Sequence, residues 1–445
     1  MTPVFIRDWS DIMKNKKVYV ILIALILIGS LFLTYNIYQN KNKVIKTKKR
    51  KQNNLAIMIK EDGATDYTKS NSKDIPKGNY VLNRDKNYCK NNGVIGDYDS
   101  VLGKVSFSFI GTDSCYLYFD YVPSVNILGV KIPLDTELDS SGTSSTKYIV
   151  SNENGYRYEG TDPNNYICLD NKTSGTCSSS SLLFRIIGLF DEEYSTNVTS
   201  SSGTKKLLKI LDTNNFGGST GKYWSGSSSN QTSNWSKSTL NTELNGTYLS
   251  TLLATSGVNS KLSSAIANAK WHLGGANTNS GSNYYNNTIT TENYYKAERS
   301  PYATSGTLQN LYSGNPEYVF AKVGLMYPSD YGYATVGGST TNKSSCREKE
   351  LYNWDSSSYS DCKNNDWVYK SQSISWGSNK NEWLISPNAS GSNYASVLYS
   401  SGYVVANISV NIYQFAVRPT FYLDSIILKI VGTGDGTKDN AYRVG

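Results

Sequence analysis

The side chains that most often carry catalysis are sparse in this chain. Its single histidine, His272, lies in a predicted helix and away from any G-x-S-x-G motif, so a Ser–His–Asp triad is not indicated. Several acids are scattered along the sequence, and no two of them stand out as the paired carboxylates of a glycoside hydrolase. These acids are Glu153, Asp162, Asp191, Glu192 and Asp330. We therefore expect a protein that is not an enzyme.

Metal and cofactor binding are not indicated either. The chain has no CxxC motif, and zinc sites usually place Cys or His ligands at tight spacing. Calcium takes six to eight oxygen ligands, yet no charged residue lies between Glu382 and Arg418. The glycine-rich string at 432–436 ends the chain and precedes no helix, which argues against phosphate binding. We predict no metal and no cofactor.

Six cysteines are spread along the chain, and six allow 15 pairings. Proximity favours three short disulfide loops, although free buried thiols and a metal site stay open as alternatives. The predicted pairs are Cys89 with Cys115, Cys168 with Cys177, and Cys346 with Cys362. Disulfides are typical of an oxidising, extracellular compartment.

The segment 398–413 alternates between two kinds of residue. Its even positions are small or apolar, and most of its odd positions are Tyr, Ser or Asn. A period of two predicts a hairpin with one buried face, and Ser400–Gly402 would form its turn. The exposed face is either a solvated surface or a ligand-binding surface. A solvated face normally carries Lys and Glu, so we favour ligand binding by Tyr394, Tyr399, Ser401, Tyr403, Asn407, Ser409, Asn411 and Tyr413.

The composition and charge support this preference. The chain has 36 Tyr and only 18% charged residues, a mixture that matches the rigid aromatic and small polar groups of antibody binding loops. Residues 1–51 hold 11 of the 44 Lys and Arg residues but only two of the 36 acidic residues. The remainder carries 33 basic and 34 acidic residues, a net charge of −1, so we predict no nucleic-acid partner.

An uncharged stretch at 18–35 predicts a membrane anchor. With 36–38 it approaches the roughly 20 residues that a helix needs to cross a bilayer. We predict a cytoplasmic N-terminus over 1–17, a transmembrane signal anchor over 18–38 and a basic stalk over 39–54. A cleaved signal peptide is the alternative. Four basic residues precede the stretch and seven follow it, and the positive-inside rule would therefore place the bulk of the chain in the cytoplasm. The cysteines and the composition instead favour an extracellular location for the bulk of the chain.

The remaining chain predicts an α+β fold. Strand patterns within 55–134 indicate a small disulfide-stapled β-module, and the Ser-rich residues 135–147 indicate a linker. Residues 148–445 form the larger domain, in which 182–190 and 205–211 are predicted to pair as strands. Two helices are predicted, one over 239–253 after the N-cap Ser238 and one over 259–271, with antiparallel strands around them.

The C-terminal domain resembles a protein family, first of all in residues 383–423. The pattern W-L-x-S-P-N, then a Ser/Asn/Tyr stretch, then V-R-P-x-x-x-L, is carried by Trp383, Ser386, Pro387, Asn388, Gly402, Val417, Arg418, Pro419 and Leu423. This pattern resembles uncharacterised surface-anchored proteins of low-GC Gram-positive bacteria, and segments at 156–170, 184–190, 322–334 and 432–445 extend the likeness over 148–445. The segment is also similar to retroelement-diversified variable proteins.

The resemblance implies a C-type-lectin-like, or formylglycine-generating-enzyme-like, α+β domain. It further implies ligand contacts from the exposed positions before V-R-P. Such an enzyme would need a reactive cysteine pair, for which Cys346 and Cys362 are the candidates, and a structural bridge suits these two better. Asp162–Pro163–Asn164 and Asn353–Trp354–Asp355 share letters with the motifs of calcium-dependent lectins but not their order or place.

These observations predict a surface-anchored, adhesin-like protein that recognises a glycan or a protein. The membrane would be a partner through residues 18–38, with the bulk of the chain outside the cell. A structural cell-envelope protein without a soluble ligand is the second hypothesis, and an exported hydrolase is the third.

Overall fold

A computed structural model describes most of the chain in fourteen segments. They are 16–45, 53–61, 64–77, 80–99, 102–109, 111–121, 124–134, 149–152, 155–197, 200–226, 232–275, 289–300, 311–372 and 380–445. The predicted linker 135–147, most of the N-terminal segment 1–17 and much of the stalk 39–54 lie outside the described residues. The chain divides into two compact units, 1–121 and 122–445.

The first unit begins with helix α1, Lys16–Ile45. Its described side chains include Ser30, Thr34 and Asn36, which interrupt the apolar run. No helix in the described part of the chain is both long and apolar enough to span a bilayer. The predicted fold class included an N-terminal transmembrane helix, and this finding corrects that part of it.

The rest of the first unit is built from strands. They are β1 (Asn54–Lys60), β2 (Thr68–Lys69), β3 (Tyr80–Leu82), β4 (Tyr88–Cys89), β5 (Val94–Asp99), β6 (Lys104–Ser108) and β7 (Ser114–Tyr121). β7 pairs with β1 in parallel and with β3 and β4 in antiparallel register, while β5 and β6 form a separate hairpin. Leu117 and Phe119 alternate into a small core with Ile57, as a half-buried strand requires.

The strands of the second unit form a large sheet, a three-stranded sheet and a hairpin. They are β8 (Ser124–Ile127), β9 (Val130–Pro133), β10 (Ile149–Asn152), β11 (Gly155–Tyr158), β12 (Tyr166–Cys168), β13 (Leu183–Tyr194), β14 (Gly203–Asp212), β15 (Ala269–His272), β16 (Tyr318–Ala321), β17 (Val323–Gly324), β18 (Glu382–Pro387), β19 (Tyr394–Leu398), β20 (Val404–Ser409), β21 (Thr420–Asp424), β22 (Ile430–Val431) and β23 (Tyr442–Val444). The hairpin of β8 and β9, which lies within the predicted module 55–134, belongs to this unit.

The centre of the large sheet is the antiparallel pair β13 and β14. The two strands align from Phe184 opposite Asp212 to Tyr194 opposite Gly203, and β21 joins β14 on its other side. Both strands carry continuous apolar runs because their inner halves are buried on both faces. The predicted pairing of 182–190 with 205–211 is confirmed.

The helices of the second unit are short. They are α2 (Thr239–Glu243), a π-helical turn (Leu244–Tyr248), α3 (Leu249–Leu253), α4 (Leu262–Ala265), α5 (Thr291–Arg299), α6 (Pro328–Gly332), α7 (Lys343–Glu348), α8 (Ser360–Asn364) and α9 (Trp367–Lys370). In the described part of this unit, 3₁₀ turns accompany them at Ser180–Leu182, Trp235–Lys237, Leu351–Asn353 and Ser357–Tyr359.

The predicted fold class is wrong. The chain is mixed α/β with more strand (35%) than helix (23%), rather than two helices between strands after a membrane helix. The helix predicted over 259–271 is confined to α4, because the last residues of that range leave the helix and form β15. There Trp271 pairs with Val319 of β16, and its indole N–H donates to the Ala321 carbonyl at 3.0 Å. Sheet pairing therefore overrides the local helical pattern.

Three disulfides hold the described chain. Cys89 is bonded to Cys115, Cys168 to Cys177, and Cys346 to Cys362, and no free cysteine remains among the described residues. The first joins β4 to β7, and the third joins α7 to α8. The predicted disulfides and their pairing are confirmed.

Buried ion pairs tie the large sheet to the segments packed on it. Asp330 of α6 accepts from Arg157 of β11 at 2.8 Å and from Lys209 of β14 at 2.5 Å, and all three side chains are buried. The two cations hold the pKa of Asp330 well below its usual range, although burial alone would raise it. The carboxylate therefore stays ionised in the interior, where it fixes α6 to two strands.

The three-stranded sheet of β18, β19 and β20 is attached by a second buried pair. Arg418 donates through Nε to Glu382 Oε1 at 2.8 Å and through a terminal nitrogen to Glu382 Oε2 at 2.7 Å. Arg418 also donates to the carbonyl of Val368 in α9. Two parallel bonds fix both distance and orientation, so this pair sets the position of β18 relative to β21.

Replacing Glu382 with Gln should be strongly destabilising, because Arg418 would keep its buried charge and lose its anionic partner. We expect the free energy of unfolding to fall by roughly 3–5 kcal/mol, measured by urea denaturation. Glu292→Gln is the control, since Glu292 and Lys296 form an exposed pair whose loss should cost about 0.5 kcal/mol or less. Equal effects of the two substitutions would contradict this role for the pair.

Candidate functional site

The segment with the predicted ligand-binding residues forms a hairpin. β19 and β20 are antiparallel, and the Tyr399 N–H donates to the Tyr403 carbonyl at 2.9 Å to close the turn between them. Gly402 occupies the left-handed region with φ of +90°, a conformation that glycine adopts without the cost of a Cβ. The predicted hairpin and its turn are thus present at the expected place.

The expected alternation of buried and exposed positions holds only in part. Ala395 pairs with Ile408 and Val397 with Val405, so β20 has one residue more than β19 between these pairs. This β-bulge re-aims the side chains on its two sides. Val405, at an odd position, is buried together with Val404 and Ala406, so both faces of this part of β20 are covered.

The turn end of the hairpin carries a cluster of aromatic rings. Tyr399 and Tyr403 stack with centroids 4.7 Å apart, and Tyr352 meets Tyr403 edge-on at 5.6 Å. Tyr413 stacks at 5.7 Å on the buried ring of Phe415, which also contacts Tyr399 at 6.4 Å. We call Tyr352, Tyr399, Tyr403 and Tyr413 the aromatic patch.

The aromatic patch reaches the surface to different extents. The side chain of Tyr413 is 49% exposed and its neighbour Ile412 is 63% exposed, although Ile412 stands at a position predicted to be buried. Tyr352, Tyr399 and Tyr403 are half-buried. Rings that are partly packed and partly exposed can contact a ligand without a large loss of side-chain entropy.

Groups from other elements hold the turn in place. The Lys363 ammonium donates to the Ser401 carbonyl at 2.7 Å, and the Tyr331 hydroxyl donates to the Gly402 carbonyl at 2.8 Å. The Tyr369 hydroxyl donates to the Ser400 carbonyl at 3.1 Å. Three successive backbone carbonyls are therefore bound by side chains from α6, α8 and α9, which fixes the conformation of the turn.

The other predicted residues are not gathered at the aromatic patch. Tyr394 pairs with Ser409 at the far end of the hairpin, about 17 Å along the strand from Tyr399 at ~3.4 Å per residue. Ser409 is buried, and its hydroxyl bonds to the Asn411 side chain at 2.9 Å. Asn407 and Asn411 are half-buried. The predicted surface is thus divided between two ends of one hairpin.

Four side chains that contact the turn end of the hairpin were not predicted from the sequence. They are Tyr331, Tyr352, Lys363 and Tyr369. They lie 30 to 70 residues before the turn, in helices and turns whose sequence carries no ligand-binding motif. The one available signal was the disulfide between Cys346 and Cys362, which predicts that the residues around it form a compact element.

The scattered acids take separate structural roles among the described residues. Asp162 pairs with Arg185 at 3.0 Å, and Asp330 is fully engaged inside the second unit. Glu192 bonds to Arg299 at 3.3 Å. Glu153 lies outside the described residues. The four acids that the structure describes, Asp162, Asp191, Glu192 and Asp330, are each paired with a cation.

A buried ionic cluster surrounds Glu192. Arg299 also bonds at 3.2 Å to Glu298, whose carboxylate accepts from the Ser329 hydroxyl at 2.5 Å. Burial raises the pKa of Glu298 to about 7. The side chain of Glu298 has no exposed surface, and it joins α5 to Ser329 by hydrogen bonds in the interior.

Two cysteine–aspartate groups have spacing that suits a metal, namely Cys89, Asp113 and Cys115, and Cys168, Asp170 and Cys177. Both cysteine pairs are disulfides, so neither offers a thiolate ligand. Asp113 instead accepts from the backbone of Asn91 and Gly93. Within the described segments these groups are structural.

No family model, curated protein or solved structure matches this chain. The resemblance to surface-anchored bacterial proteins therefore stays a prediction from the sequence motifs.

His272 lies in β15, not in a helix, and beside the ionic cluster. Its Nε2 is 3.9 Å from Glu192 Oε2. Burial, together with the positive charges of Arg299, Lys270 and Lys209, lowers the pKa of His272 to about 3. The imidazole is therefore neutral at physiological pH.

We predict that the His272 imidazole does not titrate between about pH 4 and pH 8 in the folded chain. Since the chain has one histidine, ¹⁵N-histidine NMR reports on this ring alone. In concentrated urea it should titrate near 6.5. The folded pKa lies below the unfolded one, so this residue should lower stability as the pH falls from about 6.5 towards 3. A folded-state midpoint near 6.5 would contradict the buried environment.

Proposed function

We propose that this chain is an exported binding protein that recognises a glycan or a protein through the aromatic patch at its C-terminal hairpin. The observation that carries the proposal is the joining of Tyr399, Tyr403 and Tyr413, through Phe415, into one partly exposed aromatic cluster beside a fixed turn. Tyrosine supplies a rigid apolar ring and a hydroxyl at low entropic cost, which suits recognition of varied polar surfaces.

The fixed turn supports recognition rather than packing alone. Its carbonyls at Ser400, Ser401 and Gly402 are bound by Tyr369, Lys363 and Tyr331. A binding element that is already ordered loses less conformational entropy when the ligand arrives. The patch is therefore ready to bind without rearrangement of its backbone.

The charge pattern supports an uncharged or weakly charged ligand surface. No charged residue lies between Glu382 and Arg418, and these two neutralise each other in the interior. Binding at this surface then rests on ring contacts and on hydrogen bonds from hydroxyl and amide groups, so it should depend little on salt.

Three disulfides support export from the cytoplasm. Disulfides persist in oxidising compartments and are rare in reducing ones. A loop closed by 9 residues, as between Cys168 and Cys177, adds modest stability by restricting the unfolded chain. The proposed site of action is outside the cell.

Replacement of Tyr399, Tyr403 and Tyr413 together by Ala should abolish binding to glycan arrays and to intact host cells. We expect affinity to fall at least about tenfold for each ring that contacts the ligand, since buried aromatic contacts dominate such interfaces. The measurement is binding of the wild-type and variant chains at equal concentration, with circular dichroism to verify the fold.

Tyr318→Ala is the matched control, because Tyr318 is also partly exposed, at 39%, and lies on β16. It should bind as the wild type does. If the triple variant keeps its fold and binds equally well, the aromatic patch is not the recognition surface, and a structural envelope role becomes the better interpretation.

A further inference from the structure

A cleft in the second unit lies between strands of the large sheet and helix α5. Its volume is 390 Å³, within the range of about 300–1,000 Å³ that small-molecule sites occupy. Its walls come from β11, β13, β14, β15 and α5. The side chains that matter for its chemistry are Phe190, Glu192, His272, Tyr295 and Arg299.

Each acid in the wall of the cleft is paired with a cation. The three pairs are Asp191 with Lys206 at 2.8 Å, Glu192 with Arg299 at 3.3 Å, and Glu193 with Lys270 at 2.6 Å. The wall is therefore rich in charged groups and close to neutral overall. A charged ligand would have to break one of these pairs, whereas a neutral ligand would leave them intact.

The cleft offers hydrogen-bonding groups at its inner end. The neutral His272 imidazole presents one donor and one acceptor, and among the described residues its ring makes no hydrogen bond, since Glu192 Oε2 lies 3.9 Å away. Glu192 Oε1 accepts from Arg299, and the second oxygen faces His272. An apolar ligand would leave these polar groups without partners, which costs about 1–3 kcal/mol for each.

Flat rings form the other part of the wall. The guanidinium of Arg299 lies over the Tyr295 ring at 4.0 Å, and Phe190 is buried at the side of the cleft. A pyranose has an apolar face of C–H bonds and a rim of hydroxyls. Such a molecule can place its C–H face on an aromatic ring while its hydroxyls bond to the imidazole and the carboxylate.

We propose that this cleft binds a single neutral sugar ring. The site is separate from the aromatic patch and goes beyond the proposed function. It uses Glu192 and His272 as hydrogen-bonding partners of the hydroxyls and Tyr295 as the ring surface.

The single histidine makes the test direct. The full chain is labelled with ¹⁵N-histidine and titrated with glucose, galactose and N-acetylglucosamine, and with the charged sugars glucosamine and glucuronate. We expect at least one neutral sugar to shift the His272 resonances saturably, with a Kd on the order of 1 mM for a ligand of this size. The charged sugars should bind at least about tenfold more weakly.

Two variants test the residues of the cleft, and a third variant is the control. Glu192→Gln removes the charged acceptor, and Tyr295→Ala removes the ring surface together with its contact to Arg299 but leaves the Glu192 carboxylate in place. Each should weaken binding of the neutral sugar at least about fivefold, while Ile426→Ala, at an exposed residue outside the cleft wall, should leave it unchanged. The proposal is overturned if no neutral sugar shifts His272 at about 50 mM, if a charged sugar binds more tightly, or if both cleft variants bind as the wild type does.

Discussion

The bidentate pair of Glu382 and Arg418 is the interaction on which the C-terminal surface depends. It is buried and joins the first residue of β18 to the segment that leads into β21, while Arg418 also bonds to α9. A buried ion pair contributes little net stability, because desolvation offsets much of the attraction. Its value here is geometric, since two parallel hydrogen bonds allow one orientation of the three-stranded sheet on the large sheet.

Apolar packing also holds the three-stranded sheet in its position. Trp383, the residue after Glu382, packs against Trp224 at 5.8 Å and against Phe415 at 4.9 Å, and Trp224 packs against Trp235 at 4.8 Å. All four rings are buried. Phe415 in turn supports Tyr399 and Tyr413 from below. The aromatic patch is thus the exposed edge of a rigid aromatic core, and its position follows from that of β18.

The features that the sequence could predict are those set by local rules. The apolar runs of β13 and β14, the glycine turn at Gly402 and the short cysteine loops each follow from neighbouring residues.

The features that escaped prediction depend on distant parts of the chain. Trp271 and His272 follow a helical pattern but pair with β16, and the bulge in β20 depends on how β19 is aligned. Tyr352 joins the patch from a 3₁₀ turn about fifty residues earlier. The cleft at Glu192 combines five elements, and spacing within one segment cannot show such a site.

We propose that ligands bind this protein at the turn end of the C-terminal hairpin. The most direct measurement is a crystal structure of the chain bound to a glycan or peptide selected by its binding. We expect ligand density against Tyr399, Tyr403 and Tyr413, with the turn unchanged and its hydrogen bonds from Lys363 and Tyr331 intact. Density elsewhere on the molecule, with these tyrosines untouched, would contradict it.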